Sequence, residues 1–259
     1  MYVLLQDQGH REYMEDMVDI AEHFFKNLDY YAVFDGHGGD KVAIYLKNTM
    51  RKTLLENVKI MYPNIPGSIY KTFADVAEGV NTTFGMHTGS TALVIIKSPT
   101  DIWAANAGDC RAILKYFDNS RYVAKKLTKD HKPNDHEEEK RIRDANGFIS
   151  QDPYGTWRVG GNLAVSRSFG DLYLSPWVTW KPDLFHVNIT QDIRAIFMAS
   201  DGIWDTMSDQ DVVNVSHQVI TENLSYDPHK IMTKVCNEVT DLARKRGSTD
   251  NISLIFIVV

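Results

Sequence analysis

The chain alternates short apolar runs with longer stretches in which apolar residues recur at helical spacing. Strand-like runs fall at residues 2–5, 17–21, 30–34, 90–97, 101–106, 112–116, 122–127, 194–200 and 252–259. Several hold β-branched and aromatic residues in runs too short for helices. Between them, residues 41–56 place Val42, Ile44, Tyr45, Leu46, Met50, Leu54 and Leu55 near helical spacing. Residues 135–146 form a charged helical stretch, and Gly147 follows as a stop. Residues 208–224 open on Ser208 as an N-cap with Asp211 three positions on, a variant of the capping box. Asp227-Pro228 opens a last helix: proline is tolerated in its first turn, and Arg244, Lys245 and Arg246 lie near its end.

The order is strands, helices, more strands, helices and a strand. Strict βαβ alternation is missing, which argues against a doubly wound parallel sheet. Mostly antiparallel strands with a few long helices predict an α+β layered fold. No linker, repeat or low-complexity segment interrupts the chain, so residues 1–259 read as a single domain.

Composition narrows the function. The 259 residues are 43% hydrophobic, enough for a substantial core. The net charge of −6, from 28 basic and 34 acidic residues, argues against general nucleic-acid binding and suits a protein that gathers cations. Cys110 and Cys236 form no spacing motif, so a reducing cytoplasm is the expected compartment, with the nucleus as the alternative. Gln6, Asp7, Gln8 and His10 break the opening apolar run, so no signal peptide is expected. No run approaches the ~18 apolar residues of a membrane helix.

The candidate chemistry lies in acids at the edges of apolar runs: Glu15 and Asp16, Asp35, Asp109, Asp201 and Asp250. A carboxylate at a buried strand end is costly without a partner. Several together need cations between them, and an all-oxygen site suits Mg²⁺ or Mn²⁺. Each signal has a plainer reading when taken alone. Asp35-Gly36-His37-Gly38-Gly39 could be a glycine-rich turn, and it lacks the full spacing of a dinucleotide fingerprint. Asn106-Ala107-Gly108-Asp109-Cys110-Arg111 reads as a hairpin-like turn, and Asp201-Gly202 and Asp250-Asn251 as ordinary turns. Cys110 reads as a small packed residue, Ser90 as a strand start, and His10, His23, His87, His131 and His136 as surface or structural histidines.

Together these blocks resemble a known family. Arg11-x-x-Met14-Glu15-Asp16, Phe34-Asp35-Gly36-His37-Gly38-Gly39, Gly89-Ser90-Thr91-Ala92, Asn106-Ala107-Gly108-Asp109, Leu127-Thr128-Lys129-Asp130-His131-Lys132-Pro133, residues 163–171 (Leu-Ala-Val-Ser-Arg-Ser-Phe-Gly-Asp), Ala199-Ser200-Asp201-Gly202 and Gly247-Ser248-Thr249-Asp250-Asn251 run in the same order as in metal-dependent serine/threonine protein phosphatases of type 2C. The match covers nearly the whole chain. It implies a central antiparallel β-sandwich flanked by helices on both faces, a four-layer αββα fold. It further implies hydrolysis of phosphoserine and phosphothreonine by water activated at a binuclear Mg²⁺/Mn²⁺ centre, in a monomer acting on phosphorylated proteins. By similarity, Asp35 bridges two ions and the Gly36 carbonyl binds one. Asp201 and Asp250 hold the first ion, and Glu15 ligates the second with support from Asp16. Asp109, Asp201 and Asp205 resemble a weaker third site. Arg11 would hold the substrate phosphate, and His37 would protonate the leaving oxygen. The family's variable flap falls near residues 146–161, and Cys110 replaces a serine usual in its turn. Two rivals are a scaffold that keeps the fold without catalysis and a hydrolase of small phosphate esters or nucleotides.

Overall fold

The computed structural model describes residues 1–84 and 86–259. The chain opens with β1 (Tyr2–Asp7), β2 (Met17–Phe25), β3 (Leu28–Phe34) and the short β4 (Gly36–His37). Two helices follow, α1 (Lys41–Met61) and α2 (Ile65–Thr83). Then come β5 (Gly89–Ser90), β6 (Ala92–Lys97), β7 (Asp101–Ala107), β8 (Arg111–Asp118), β9 (Arg121–Lys126) and α3 (His136–Asp144). β10 (Ile149–Gln151), β11 (Trp157–Val159), β12 (Phe169–Gly170), β13 (Asp183–Asn188) and β14 (Ile193–Ala199) lead to α4 (Asp201–Trp204), α5 (Asp209–Glu222), α6 (Pro228–Lys245) and β15 (Ile252–Val258).

Two antiparallel sheets form the centre, in the orders β1-β15-β14-β8-β9 and β13-β7-β6-β3-β2. Successive side chains on a strand point to opposite faces. In β3, Tyr30, Ala32 and Phe34 pack with Val42, Leu46 and Phe73 of α1 and α2, while Tyr31 and Val33 enter the core between the sheets. In β14, Phe197 and Ala199 pack with Val212, Val235 and Val239 of α5 and α6, while Ile196 and Met198 face the opposite sheet. The layers are therefore helix, sheet, sheet, helix. Helices or a second sheet cover both faces of these strands, which is why they read as continuous apolar runs rather than alternating ones.

The structure adds elements that the pattern of the chain did not predict. α2 opens on Asn64, whose side chain accepts the Gly67 N–H at 3.0 Å, with Pro66 in the first turn where no N–H is needed. Asn64, Pro66 and Gly67 read as loop chemistry, yet Ile65, Ile69, Phe73, Val76 and Val80 bury one helical stripe. α1 runs past residue 56 to Met61, and Ile44 on it is exposed. β13 is an edge strand whose polar Asp183, His186 and Asn188 mask it. The run at 90–97 divides at Thr91 into β5 and β6. The turn at 106–111 is not a hairpin, because β7 and β8 belong to different sheets. It is a corner held by the Asn106 amide, which donates to the carbonyls of Gly108, Cys110 and Lys129 at 3.0, 2.9 and 2.9 Å. The caps at Ser208, with its reciprocal Asp211 bond, and at Asp227 form as expected.

Strand register gathers the acids. Met17 opens β2 opposite Phe34, which closes β3, and Ala92 opens β6 opposite Ala107, which closes β7. In the other sheet Ala199, closing β14, lies opposite Arg111 and Leu254, near the starts of β8 and β15. The β7–β8 corner joins these two ends. Residues just beyond them therefore meet at one end of the sandwich.

Candidate active site

Asp35, Asp109 and Asp201 converge at that end. Each offers a carboxylate oxygen, and the three oxygens lie within 4.8 Å of one another. Asp109 is buried and the other two are half-buried. Asp35 is held through its backbone: its N–H donates to Thr91 Oγ1 at 3.1 Å, and its carbonyl accepts the Thr91 N–H at 2.9 Å. Asp201 begins α4 directly after β14.

The glycines that follow two of these acids have a steric cause. A Cβ on Gly36 would sit 2.6 Å from the Glu15 carbonyl oxygen, and one on Gly202 would sit 2.1 Å from that of Asn251. Only glycine lets the neighbouring backbone approach so closely. These approaches draw the 15–16 and 250–251 segments against Asp35 and Asp201. Asn251 completes the junction. Its side-chain amide donates to the Gln8 and Tyr13 carbonyls at 2.8 and 3.1 Å, and its oxygen accepts the Glu15 N–H at 2.8 Å.

The remaining predicted ligands surround the triad on partners of their own. Glu15 Oε1 accepts the Gly39 N–H at 2.7 Å. Asp16 turns the other way and accepts the Ser200 hydroxyl at 2.7 Å, so the adjacent acids do face apart. Asp205 lies 3.8 Å from Lys132, which also contacts Asp109. Asp250 takes the Arg11 guanidinium at 2.6 Å on one oxygen and the Asn251 N–H at 2.7 Å on the other. The geometric triad is thus Asp35, Asp109 and Asp201, with Asp250 drawn aside by Arg11. His37 pairs with Asp171, Nε2 to Oδ2 at 2.7 Å.

The electrostatics are those of acids crowded together. Burial, then the charges of Asp201, Asp16, Asp109 and Asp250, all raise the Asp35 carboxyl above the ordinary range. Burial, Asp109 and Asp205 raise Asp201, against a lowering pull from Lys132. Asp16 is pushed up to about 6 by burial, with Asp250 and Glu15 adding to it and the Ser200 and Ser253 hydroxyls opposing it. A donor set made wholly of oxygen, in a buried and mutually repelling cluster, fits hard divalent cations.

Lys132, Asn251, Thr91 and Asp171 carry parts of this geometry that the sequence reading assigned to no role. All four lie inside the motif blocks quoted above, which was the available signal. Burial raises the Cys110 thiol well above its usual range, so it is a packed residue as expected. Buried His131 is structural: it meets Gly108 on one ring nitrogen and Asp183 on the other at 3.2 Å.

Comparison with known proteins agrees with the geometry. A rice protein (Oryza sativa subsp. japonica), "Probable protein phosphatase 2C member 13, mitochondrial", is 34% identical over 255 residues, covering 96% of this chain and 66% of its own. Rice "Probable protein phosphatase 2C 7" is 33% identical over 255 residues, covering 96% of this chain and 63% of its own. The chain therefore spans somewhat under two thirds of these relatives. The solved structure of a serine-threonine phosphatase 2C from Toxoplasma gondii superposes with a TM-score of 0.83 at 19% identity, over 99% of this chain and 94% of that one, and shows the same fold. The family model described as "Protein phosphatase 2C" matches residues 4–252, and the chain belongs to that family.

Proposed function

We propose that this chain is a single catalytic domain that hydrolyses phosphoserine and phosphothreonine monoesters on proteins with Mg²⁺ or Mn²⁺. The observation that carries this reading is Asp35, a carboxylate raised by burial and by four neighbouring acids at the point where the Asp109 and Asp201 oxygens converge. Asp35, the Gly36 carbonyl, Glu15, Asp201 and Asp250 would hold two cations, with Asp16 in support and Asp109 and Asp205 completing a weaker third position with Asp201. Bound there, divalent cations supply charge neutralisation for the phosphoryl oxygens and acidify water. Arg11, which donates to Asp250 at 2.6 Å, would exchange that carboxylate for a substrate phosphate. His37 is the proton donor to the leaving serine or threonine oxygen.

No helix of the described residues is long and apolar enough to cross a membrane. Both cysteines are free and buried, which suits a reducing compartment; the proposed state is a monomer in the cytoplasm, with the nucleus as the alternative. Phosphopeptide turnover should require Mn²⁺ or Mg²⁺ and stop in EDTA. Asp35→Asn should lower kcat by about 10³-fold or more, since it removes a metal-facing charge. Undiminished turnover in chelator or in that variant overturns the proposal.

A further inference from the structure

His37 and Asp171 are 134 residues apart in sequence, and a small three-stranded sheet brings them together. Its order is β12-β5-β4, with His37 opposite Gly89 and Gly89 opposite Gly170. Asp171 is the next residue after β12, so the register delivers its carboxylate to the His37 ring. The carboxylate is fixed before it meets the histidine. Its side chain is 1% exposed, and the oxygen that meets His37 Nε2 also accepts the Ser168 hydroxyl at 2.6 Å. Its backbone N–H donates to the Thr88 carbonyl at 3.2 Å, and its carbonyl accepts the Leu174 N–H at 2.8 Å. Asp171 holds φ at 51°, a left-handed conformation that aspartate tolerates better than most residues.

A second observation is independent of the hydrogen bond. A Cβ on Gly89 would stand 2.1 Å from Asp171 Oδ2 and 2.5 Å from His37 Nε2. Gly89 is not in the left-handed region, so conformation does not demand a glycine here. Space does, and the space is occupied by the contact between the two side chains.

We infer that Asp171 is a positioning residue for His37: it takes the Nε2–H, fixes the ring's tautomer and orientation, and leaves Nδ1 as the nitrogen that delivers the proton. No hydrogen bond among the described residues engages Nδ1. A carboxylate behind a catalytic imidazole is a recurrent way to hold a ring in one orientation. This inference rests on the phosphatase reading and on His37 as proton donor. In the step, water forms the new P–O bond and releases a proton to solvent. The bond from phosphorus to the seryl oxygen breaks, and its electron pair stays on that oxygen, which takes the proton from Nδ1. The ring, still bonded to Asp171 through Nε2–H, recovers a proton from solvent. The products are the free hydroxyl and inorganic phosphate.

A purely structural Asp171, stapling β12 to β4, would weaken turnover of every substrate alike. A proton-delivering pair has a different signature, because a seryl alkoxide needs a proton to leave and p-nitrophenolate does not. The test measures kcat and KM on a phosphoserine peptide and on p-nitrophenyl phosphate, with the full chain in saturating Mn²⁺. Asp171→Asn should lower kcat on the peptide by about tenfold or more and change kcat on the aryl phosphate by less than about threefold, with KM nearly constant. His37→Gln should show the same selectivity with a larger loss. Gly89→Ala leaves both side chains present but forces them apart, so it should reproduce the Asp171→Asn pattern. It carries the test if Asp171→Asn does not fold.

Equal losses on both substrates, or none, would overturn the positioning role, while a still-selective His37→Gln would leave the proton donor in place. If His37→Gln itself lost selectivity, the proton-donor reading would fall and this inference with it.

Discussion

Two acid clusters lie in this sandwich, and their carboxyls are driven in opposite directions. Glu138 on α3 is 2% exposed, yet it receives Arg167 on one oxygen at 2.7 Å, and Arg141 and the Ser166 hydroxyl on the other at 2.9 and 2.7 Å. Burial alone would raise its carboxyl, but hydrogen bonds from Arg167, Arg141 and Ser166 hold it down at about 2. The network continues from Arg167 to Asp183 at 2.7 Å, and from Asp183 to His131 at 3.2 Å. Around Asp35 the same burial meets mainly other acids, and the carboxyls rise. The first cluster is finished by the chain's own cations. The second keeps a surplus of negative charge beyond what Lys132 and Arg11 offset, a charge that divalent cations could neutralise.

Adding cations should break that asymmetry, with the largest effect. Mn²⁺ binding to the folded state alone stabilises it by ~2.7 kcal/mol at 100 times its Kd. The melting temperature should climb across a millimolar titration of the metal-free protein, and Asp35→Asn should blunt the climb. A flat titration contradicts an acid cluster built to receive ions.

Removing Glu138 should act next in size and in the opposite sense. Glu138→Gln leaves the half-buried Arg141 and Arg167 with less charge to face, and should cost about 2 kcal/mol near neutral pH. The sign with pH follows from the depressed carboxyl. Its stabilisation is complete above its ordinary value of 4.5 and is lost as pH falls through the folded value of about 2. Denaturant titrations of the two proteins should therefore differ at pH 6 and converge toward pH 2. The Mn²⁺ increment should be equal in both, because the substitution lies outside the Asp35 acid cluster. A gap that stays constant down to pH 2 would remove the assigned cause.

The contrast also explains what could be read from the sequence. The acids of the cluster were legible because each lies within a few residues of a strand end inside a short motif, and strand ends of one sandwich converge. The partners were not. Asp171 reaches His37 only through the β12-β5-β4 order, and Lys132 reaches Asp109 only because the 106–111 corner changes sheets. Such pairings are set by topology, which no local periodicity records. α2 was missed for a different reason: Asn64, Pro66 and Gly67 carry loop chemistry in the first turn, where a helix tolerates it. The expected flap at 146–161 contains the β10–β11 hairpin, with Tyr154 95% exposed between the two strands.

Lys115 offers the smallest and sharpest comparison, as a cation in the position Asp35 holds as an acid. It is 3% exposed, donates to Ser216 Oγ at 3.1 Å and lies 4.6 Å from the Tyr122 ring centroid. Burial is the cause that acts on its ammonium, with no neighbouring charge beside it among the described residues. Burial lowers its ammonium to about 8 from an ordinary 10.5. Between those values the unfolded chain binds the proton more tightly, so stability rises with pH across that window, and below pH 8 the buried charge is a standing cost. Lys115→Met keeps the stem's packing and removes that charge, so it should stabilise the protein by about 1 kcal/mol at pH 7. The advantage should shrink as pH rises from 8 to 10.5, measured by urea unfolding of both proteins. Unlike the acids around Asp35, Lys115 faces no gathering of like charges, so Mn²⁺ should leave the difference unchanged. A variant less stable than the parent at pH 7 would show that the Ser216 and Tyr122 contacts outweigh desolvation, and that a lone buried charge in this fold is tolerated on different terms from a crowded one.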